Sequence, residues 1–452
     1  MIDGNPAKSL IIFAIPMILG NLFQQLYNIA DSVIVGQYVG KDALAAVGAS
    51  TAITNLFVMV AIGTGIGCSV VISQLYGAGR REDVKSCIST ELISVFILSI
   101  VLSAVGFFLS GSILKLMKTP ADVFDEAKTY LEIYFMGFVF LFMYNAFNAV
   151  FNALGISTLP LVFLIFSSCL NVGLDFWFVA GLRRGVAGAA WATLIAQGTS
   201  AVLSFTVLMF RLRSMKSEKY RHFNPGHLRS MVGMAIPTVI QQSIVSVGML
   251  LIQSVVNRFG SDFLAGYTGA IKFDGIAIVP MVNVGNAVST FVAQNIGAGR
   301  IKRAKQGYRA GLFMAIGIGV VIGVLLHFFS DNVMELFLSA DEDGLEAIQI
   351  GSKYLQIVSY AYFMMGMMNV TSAVLRGAGD KKWVLIQSLV NLGTRVLLVY
   401  LFAEATGGLM IMCSSAAGWF IGFVISYIRY RQGGWTTKRL IGESPAIVKQ
   451  EE

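Results

Sequence analysis

The chain is 452 residues long, 56% of them apolar and only 13% Asp, Glu, Lys or Arg, with a net charge of +8. An ordinary soluble protein carries about 25% charged residues. A soluble enzyme, a disordered chain and a collagen-like sequence are therefore excluded, and the mean hydropathy of +0.72 leaves a polytopic membrane protein.

Residues 1–10 hold Asp3, Asn5, Pro6 and Lys8 and carry no signal-cleavage pattern. A bilayer core takes about 20 apolar residues per helix. Twelve such runs follow, at 10–38, 48–76, 88–110, 128–152, 159–180, 187–210, 231–257, 265–296, 307–329, 351–375, 383–403 and 407–428. The longest exceed the bilayer, so tilt or extension into water is expected. The spacing predicts an all-α polytopic membrane protein of twelve transmembrane helices. Lys and Arg concentrate in alternate loops: Arg80, Arg81 and Lys85; Arg211 to Arg229; Arg300 to Arg309; Arg376, Lys381 and Lys382. The other loops are net acidic. This positive-inside bias puts both termini in the cytoplasm of a multi-pass protein of the cell's inner (plasma) membrane. It also accounts for the basic charge without nucleic acid. Cys68, Cys87, Cys169 and Cys413 form no CxxC pair, so neither a disulfide framework nor a zinc site is expected.

The chain repeats at an offset of about 220. Ala14-Ile15-Pro16 recurs as Ala235-Ile236-Pro237, Gly77-Ala78-Gly79-Arg80 as Gly297-Ala298-Gly299-Arg300, and Asn171-x-Gly173 as Asn391-x-Gly393. The expected domains are a six-helix bundle at 1–212, a cytoplasmic linker at 213–230, a second six-helix bundle at 231–432 and a cytoplasmic tail at 433–452. Six is even, so the repeats are parallel, with a cavity expected where the halves meet and alternating access by rocking. Gly-Ala-Gly-Arg lacks the Lys-Ser/Thr of a phosphate loop and reads as a tight turn ending a helix. Pro16 and Pro237 mark helix kinks in the first and seventh spans. Gly319-x-x-x-Gly323 and Gly418-x-x-x-Gly422 read as close helix packing.

Five ionisable residues lie well inside the spans: Asp31, Asp175, Lys272, Asp274 and Arg395. A charge at the bilayer centre costs about 2.5–3.5 kcal/mol on insertion scales, so each needs a partner, a wet cavity or a proton. Counting at 1.5 Å per residue puts Asp31, Asp175 and Thr193 at one level, roughly 9–12 Å below the outer end. Gln24, Asn28 and Asp31 share one stripe of the first span, and Asn171 and Asp175 share a face of the fifth. Two carboxylates, a hydroxyl and amide oxygens suit Na⁺ at Asp31, Asn171, Asp175 and Thr193, or a proton shared by the acids. The plainer alternative is a buried network that fixes helix packing. In the second half Arg395 stands where Asp175 would be, and Asp31 has no counterpart. Lys272, Asp274, Arg395 and Asn391, with Asn28 from the first half, are expected to line a cavity or form a polar network, with Asp274 and Arg395 as a candidate pair. The methionines at 364, 365, 367 and 368 suit a promiscuous cavity or serve as filler.

Several segments together resemble the MATE family of multidrug and toxic compound extrusion transporters, most nearly its bacterial DinF-like branch. They are Asp31-Ser-Val-Ile-Val-Gly36 with Gly40-Lys-Asp-Ala-Leu-Ala-Ala46, Gln74-Leu-Tyr-Gly-Ala-Gly-Arg80, Asn171-Val-Gly-Leu-Asp175 and Leu375-Arg-Gly-Ala-Gly-Asp380. The resemblance covers residues 8–430. It implies two bundles with a central cleft, and export of amphipathic or cationic organic compounds by antiport with H⁺ and/or Na⁺. It also implies ion-coupling roles for Gln24, Asp31, Asn171, Asp175 and Thr193. No cofactor beyond the coupling ion is expected. The expected partners are small organic substrates and membrane lipids, and the chain is expected as a monomer. The NorM-like branch, which carries acids in the seventh and tenth helices, is matched less, because Gln241 and Gln242 stand in the seventh span here. Rival readings are a lipid-linked precursor flippase of the same superfamily and a membrane-embedded enzyme. The first would want more cavity arginines; the second would want a catalytic constellation around a residue such as His327.

Overall fold

A computed structural model describes residues 1–39, 41–215, 220–338, 344–438 and 440, and every regular element among them is helical. The helices are α1 (Pro6–Tyr38), α2 (Lys41–Gly77), α3 (Arg81–Leu116), α4 (Ala121–Met136), α5 (Phe138–Ala153), α6 (Thr158–Asp175) and α7 (Gly185–Ser214). They continue as α8 (Pro225–Val256), α9 (Ser261–Ala277), α10 (Val279–Gly297), α11 (Ile301–Glu335), α12 (Leu345–Ser359), α13 (Tyr362–Ala378), α14 (Lys381–Phe402) and α15 (Leu409–Arg431). Ten stretches are long and apolar enough to cross a membrane, and twelve if each of two bent pairs counts as one span. The twelve expected runs and the all-α membrane fold are thus present.

The bent pairs are the main departure from unbroken spans. The fourth turns by 49° between α4 and α5, and the tenth by 54° between α12 and α13. Gly137 forms the first break, with its backbone beside Leu194. The eighth span is likewise two helices, α9 and α10, which meet at Ile278.

The predicted helix-ending turns take the form their glycines require. Gly79, Gly299 and Gly379 have φ of 70°, 73° and 85°, a region that costs a side chain with a Cβ. After α13, the Asp380 amide donates to the Leu375 carbonyl at 2.8 Å and the Gly379 amide to that of Arg376 at 2.9 Å, the bonding of a Schellman turn. The Arg80 and Arg300 amides repeat the longer bond, at 3.2 Å to Leu75 and 2.8 Å to Asn295.

Two compact units result, Ile15–Val239 and Ile240 onward together with Met1–Ala14. Their boundaries fall inside α1 and α8, beside Pro16 and Pro237, whereas the sequence sets its linker at 213–230. In the second unit the first residues are held by arginine side chains. Arg303 donates to the carbonyls of Gly4 (2.7 Å), Asp3 (2.8 Å) and Met1 (3.2 Å), and Arg300 pairs with the Asp3 carboxylate at 2.7 Å. Arg300 holds the Asp3 carboxyl below its usual range. The first unit packs around a phenylalanine cluster in which Phe57, Phe135 and Phe138 have ring centroids 4.7–5.3 Å apart.

The glycine pairs do make close packing. A Cβ at Gly319 would sit 2.7 Å from the Phe363 Cα, and one at Gly323 would strike the Ser359 carbonyl. Helix α11 therefore crosses backbone-to-backbone over the break between α12 and α13. Gly319→Val should lower stability by about 2 kcal/mol or more, because backbone cannot move aside as a side chain can. The melting temperature of the purified variant checks this. Two of the four methionines of α13 are core: Met365 and Met368 are 4% and 8% exposed, while Met364 and Met367 are part-buried.

Candidate functional site

Asp31, Asn171, Asp175 and Thr193 meet within the unit Ile15–Val239, brought together by α1, α6 and α7. Helical spacing explains the convergence. Ser167, Asn171 and Asp175 fall at i, i+4 and i+8 on α6, so they form one stripe, and all three are buried. Asp175 is fully buried and Asn171 and Thr193 are 2% and 7% exposed, while Asp31 is only part-buried.

The carboxyls of Asp31 and Asp175 lie in hydrogen-bond contact. Of the two orientations of the Asn171 amide, one satisfies both its ends. Its nitrogen donates to Asp175 Oδ2 at 2.7 Å, and its oxygen accepts the Thr193 backbone N–H at 3.1 Å. The Oδ1 atoms of Asp31 and Asp175 are left buried without a hydrogen-bond donor. Such orphaned acceptors are rare in folded proteins and point to a bound species or a functional site.

Sequence reasoning missed three tyrosines here. Tyr27 lies one turn before Asp31 on α1 and its hydroxyl bonds Thr193, while Tyr134 on α4 bonds Gln197 on α7. Tyr130 stacks on Tyr134 with centroids 6.0 Å apart. Tyr27 is detectable, since Tyr27 and Asp31 are i and i+4. Tyr130 and Tyr134 carry no signal beyond their own spacing.

Asp175 is the last α-helical residue before a π-helical turn, Phe176–Gly181, where the Leu182 amide reaches back to the Trp177 carbonyl at 2.8 Å. π-Turns occur mostly at functional sites, because the extra residue turns the neighbouring side chain. Ile34, Val47, Tyr130, Ile133, Val179, Val186, Ala189 and Ala190 form one buried cluster that spans this turn and its neighbours.

The remaining expected residues are less central. Gln24 is part-buried two turns before Asp31. Asn28 is exposed and donates to Gln25 at 3.5 Å. In the other unit, Asp274 and Arg395 each find a different direct partner instead of pairing. Tyr362 donates to Asp274 at 2.6 Å, and Arg395 donates to Ser415 at 3.0 Å. Asn391 donates to the Met368 sulfur at 3.0 Å, and Lys272 is exposed. Sequence offset compares residues on different helices by position alone, and these bonds depend on α13 and α15, which it does not see.

Similarity to known proteins agrees with this architecture. The MatE family profile matches residues 16–177 and 237–401. The Probable multidrug resistance protein YpnP of Bacillus subtilis (strain 168) is 31% identical over 443 residues, which covers 98% of each chain. The Probable multidrug resistance protein YoeA of the same organism is 30% identical, over 88% of this chain and 87% of its own. Among solved structures, a MOP superfamily transporter from Pyrococcus furiosus superposes with a TM-score of 0.89 at 23% identity, covering 96% of this chain and 97% of that one. A point mutant of the Vibrio cholerae MATE transporter VcmN has a TM-score of 0.89 at 22% identity, over 95% of this chain and 98% of its own. The chain belongs to the MatE family of multidrug efflux transporters.

Proposed function

We propose that the chain exports amphipathic or cationic organic compounds across the cell's inner membrane by antiport with protons, and that Asp31 and Asp175 carry the coupling. The observation that supports this is the contact of two carboxyls whose Oδ1 atoms lack donors. A proton bridging them satisfies both acceptors at once. Asp31 is part-buried and Asp175 sealed, so Asp31 is the entry point and Asp175 the fixed partner.

The geometry favours H⁺ over Na⁺. A sodium ion would need the Asn171 oxygen as a ligand. That oxygen is engaged by the Thr193 N–H at 3.1 Å, and the amide nitrogen is turned to Asp175 at 2.7 Å. Thr193 is further engaged by Tyr27. The Oδ1 atoms of Asp31 and Asp175 are the site's acceptors left without a donor among the described residues.

Alternating access by the two halves, with both termini in the cytoplasm, completes the reading. Vesicles carrying the purified protein test it. A pH gradient should drive accumulation of a cationic dye such as ethidium, and a Na⁺ gradient alone should not. Accumulation driven by Na⁺ and indifferent to pH would overturn the proton assignment.

A further inference from the structure

The unit Ile15–Val239 holds a second buried acid that the Asp31–Asp175 pair does not use. Glu91 lies on α3, about 15 Å in from Arg81 at 1.5 Å per residue. It is 1% exposed, and both carboxyl oxygens are buried without a hydrogen-bond partner among the described residues. The group against them is the Cys68 thiol of α2, a weak donor.

The fold does not need this acid. At the offset of 220, Glu91 corresponds to Gly311 and Cys68 to Val288. A Cβ at Gly311 would strike the Val288 side chain, so the second unit closes the equivalent helix contact with a valine against a glycine. A carboxyl in that place costs stability, because burial strips it of water and supplies no strong donor in return. An ionisable group held at such a cost inside a membrane-spanning helix points to a function.

The head of α8 covers this part of α3. Asp83, Cys87 and Thr90 share a face of α3 at i, i+4 and i+7. The Asn224 amide donates to Thr90 at 3.0 Å, His227 lies 3.4 Å from the Asp83 carboxylate, and the Cys87 thiol donates to the Met231 sulfur at 3.6 Å. Cys87 stands one turn before Glu91 and is fully buried. On α2, Cβ atoms at Gly63 and Gly67 would strike the backbone of Val239 and Ala235. The head of α8 therefore lies directly on the helix that carries Cys68.

We propose that Glu91 is a second proton-binding site, separate from Asp31 and Asp175, and that its proton latches the head of α8 onto α3. With α8 docked, the carboxyl is sealed and held as the neutral acid. When the head lifts, water reaches it, the proton leaves, and the carboxylate resists being sealed again. Docking therefore weakens as pH rises, because the opened form binds one proton fewer. This holds whichever ion drives export. The other titratable groups near Glu91 have partners of their own. Asp83 pairs with Arg80 at 2.7 Å and faces His227 of α8, and Lys85 Nζ lies 5.6 Å from the Tyr220 ring centroid. Tyr144 of α5 bonds Asn148, and α4 meets α3 at its far end, where Phe135 packs on Gly106.

Alkylation of Cys87 by N-ethylmaleimide in the purified full-length protein tests the latch. Its rate is read by mass spectrometry from about pH 5.5 to 8, where the thiolate is the reacting form. Dividing the wild-type rate by that of Glu91→Gln cancels the thiol's own pH dependence and that of the His227–Asp83 contact. The ratio should rise by up to about tenfold per pH unit, the slope for one released proton. A charge on Glu91 slows thiolate formation in the wild type, so it works against the expected rise. A ratio that stays flat across the range overturns the proposal. The double variant Cys68→Val with Glu91→Gly copies the second unit and provides a second reference. It should fold, as judged by its melting temperature, and give the same rising ratio. If neither reference protein folds, Glu91 is a structural residue and the latch is wrong.

Discussion

Asp31→Asn and Asp175→Asn should each reduce gradient-driven dye transport to background while leaving the protein folded. An amide keeps the shape of the carboxyl and can still accept the Asn171 N–H at the 175 position, so the stability change should stay within about 1 kcal/mol. What it loses is the ability to bind and release a proton. The two substitutions should not be additive, because the proton belongs to the pair. Exchange of dye for dye across vesicles without any ion gradient should persist in both variants, since it needs conformational change and no coupling. Tyr27→Phe removes one hydroxyl bonded to Thr193 and should cost only about 1 kcal/mol, with transport slowed and not lost. Full gradient-driven transport by either Asp variant would remove the acids from the mechanism.

Asp380→Ala should give the largest stability loss. Asp380 is fully buried in the turn between α13 and α14, where Arg429 donates to its Oδ2 at 2.8 Å and Lys438 to its Oδ1 at 2.6 Å. Arg429 also lies over the Trp383 ring, 5.3 Å from its centroid. Beyond α15, Trp435 is fully buried and stacks on Tyr430 with centroids 5.4 Å apart. One carboxylate therefore ties the end of α15 and the segment after it to the turn. Removing it leaves Arg429, whose side chain is only 16% exposed, without its counter-ion. Breaking a buried pair from one side costs about 3–5 kcal/mol. The Lys438 side chain is 43% exposed and recovers water, so the lower end, about 3 kcal/mol, is expected. Thermal unfolding in detergent should fall by roughly 5 °C or more. An unchanged melting temperature would mean that the aromatic stack holds the segment without the ion pairs.

Composition and hydrophobic run length made the twelve spans legible, because a bilayer imposes a length that a sequence must display. The depth argument brought Asp31, Asp175 and Thr193 to one level, and helical spacing put Asn171 on the face of Asp175. Repeated Gly-Ala-Gly motifs read correctly as helix-ending turns, since a positive φ selects glycine. What stayed hidden depends on contacts between helices. The bend at Gly137 lies beside Leu194, which is distant in the chain. The π-turn after Asp175 leaves no mark in Phe176-Trp177-Phe178. The partners of Asp274 and Arg395 come from α13 and α15, and a repeat offset carries no information about them. The repeat did expose the exchange of Asp175 for Arg395, whose guanidinium donates to Ser415.

The central claim is that one pair of acids exchanges protons for cargo. The most direct measurement reverses the flow. Vesicles holding the purified protein are loaded with ethidium, with no pH or Na⁺ gradient imposed, and internal pH is followed as the dye leaves. With the wild type, dye efflux should draw protons inward and acidify the lumen. With Asp175→Asn, dye should leave without any pH change. Proton movement of the same size in the Asp175→Asn protein would contradict the account.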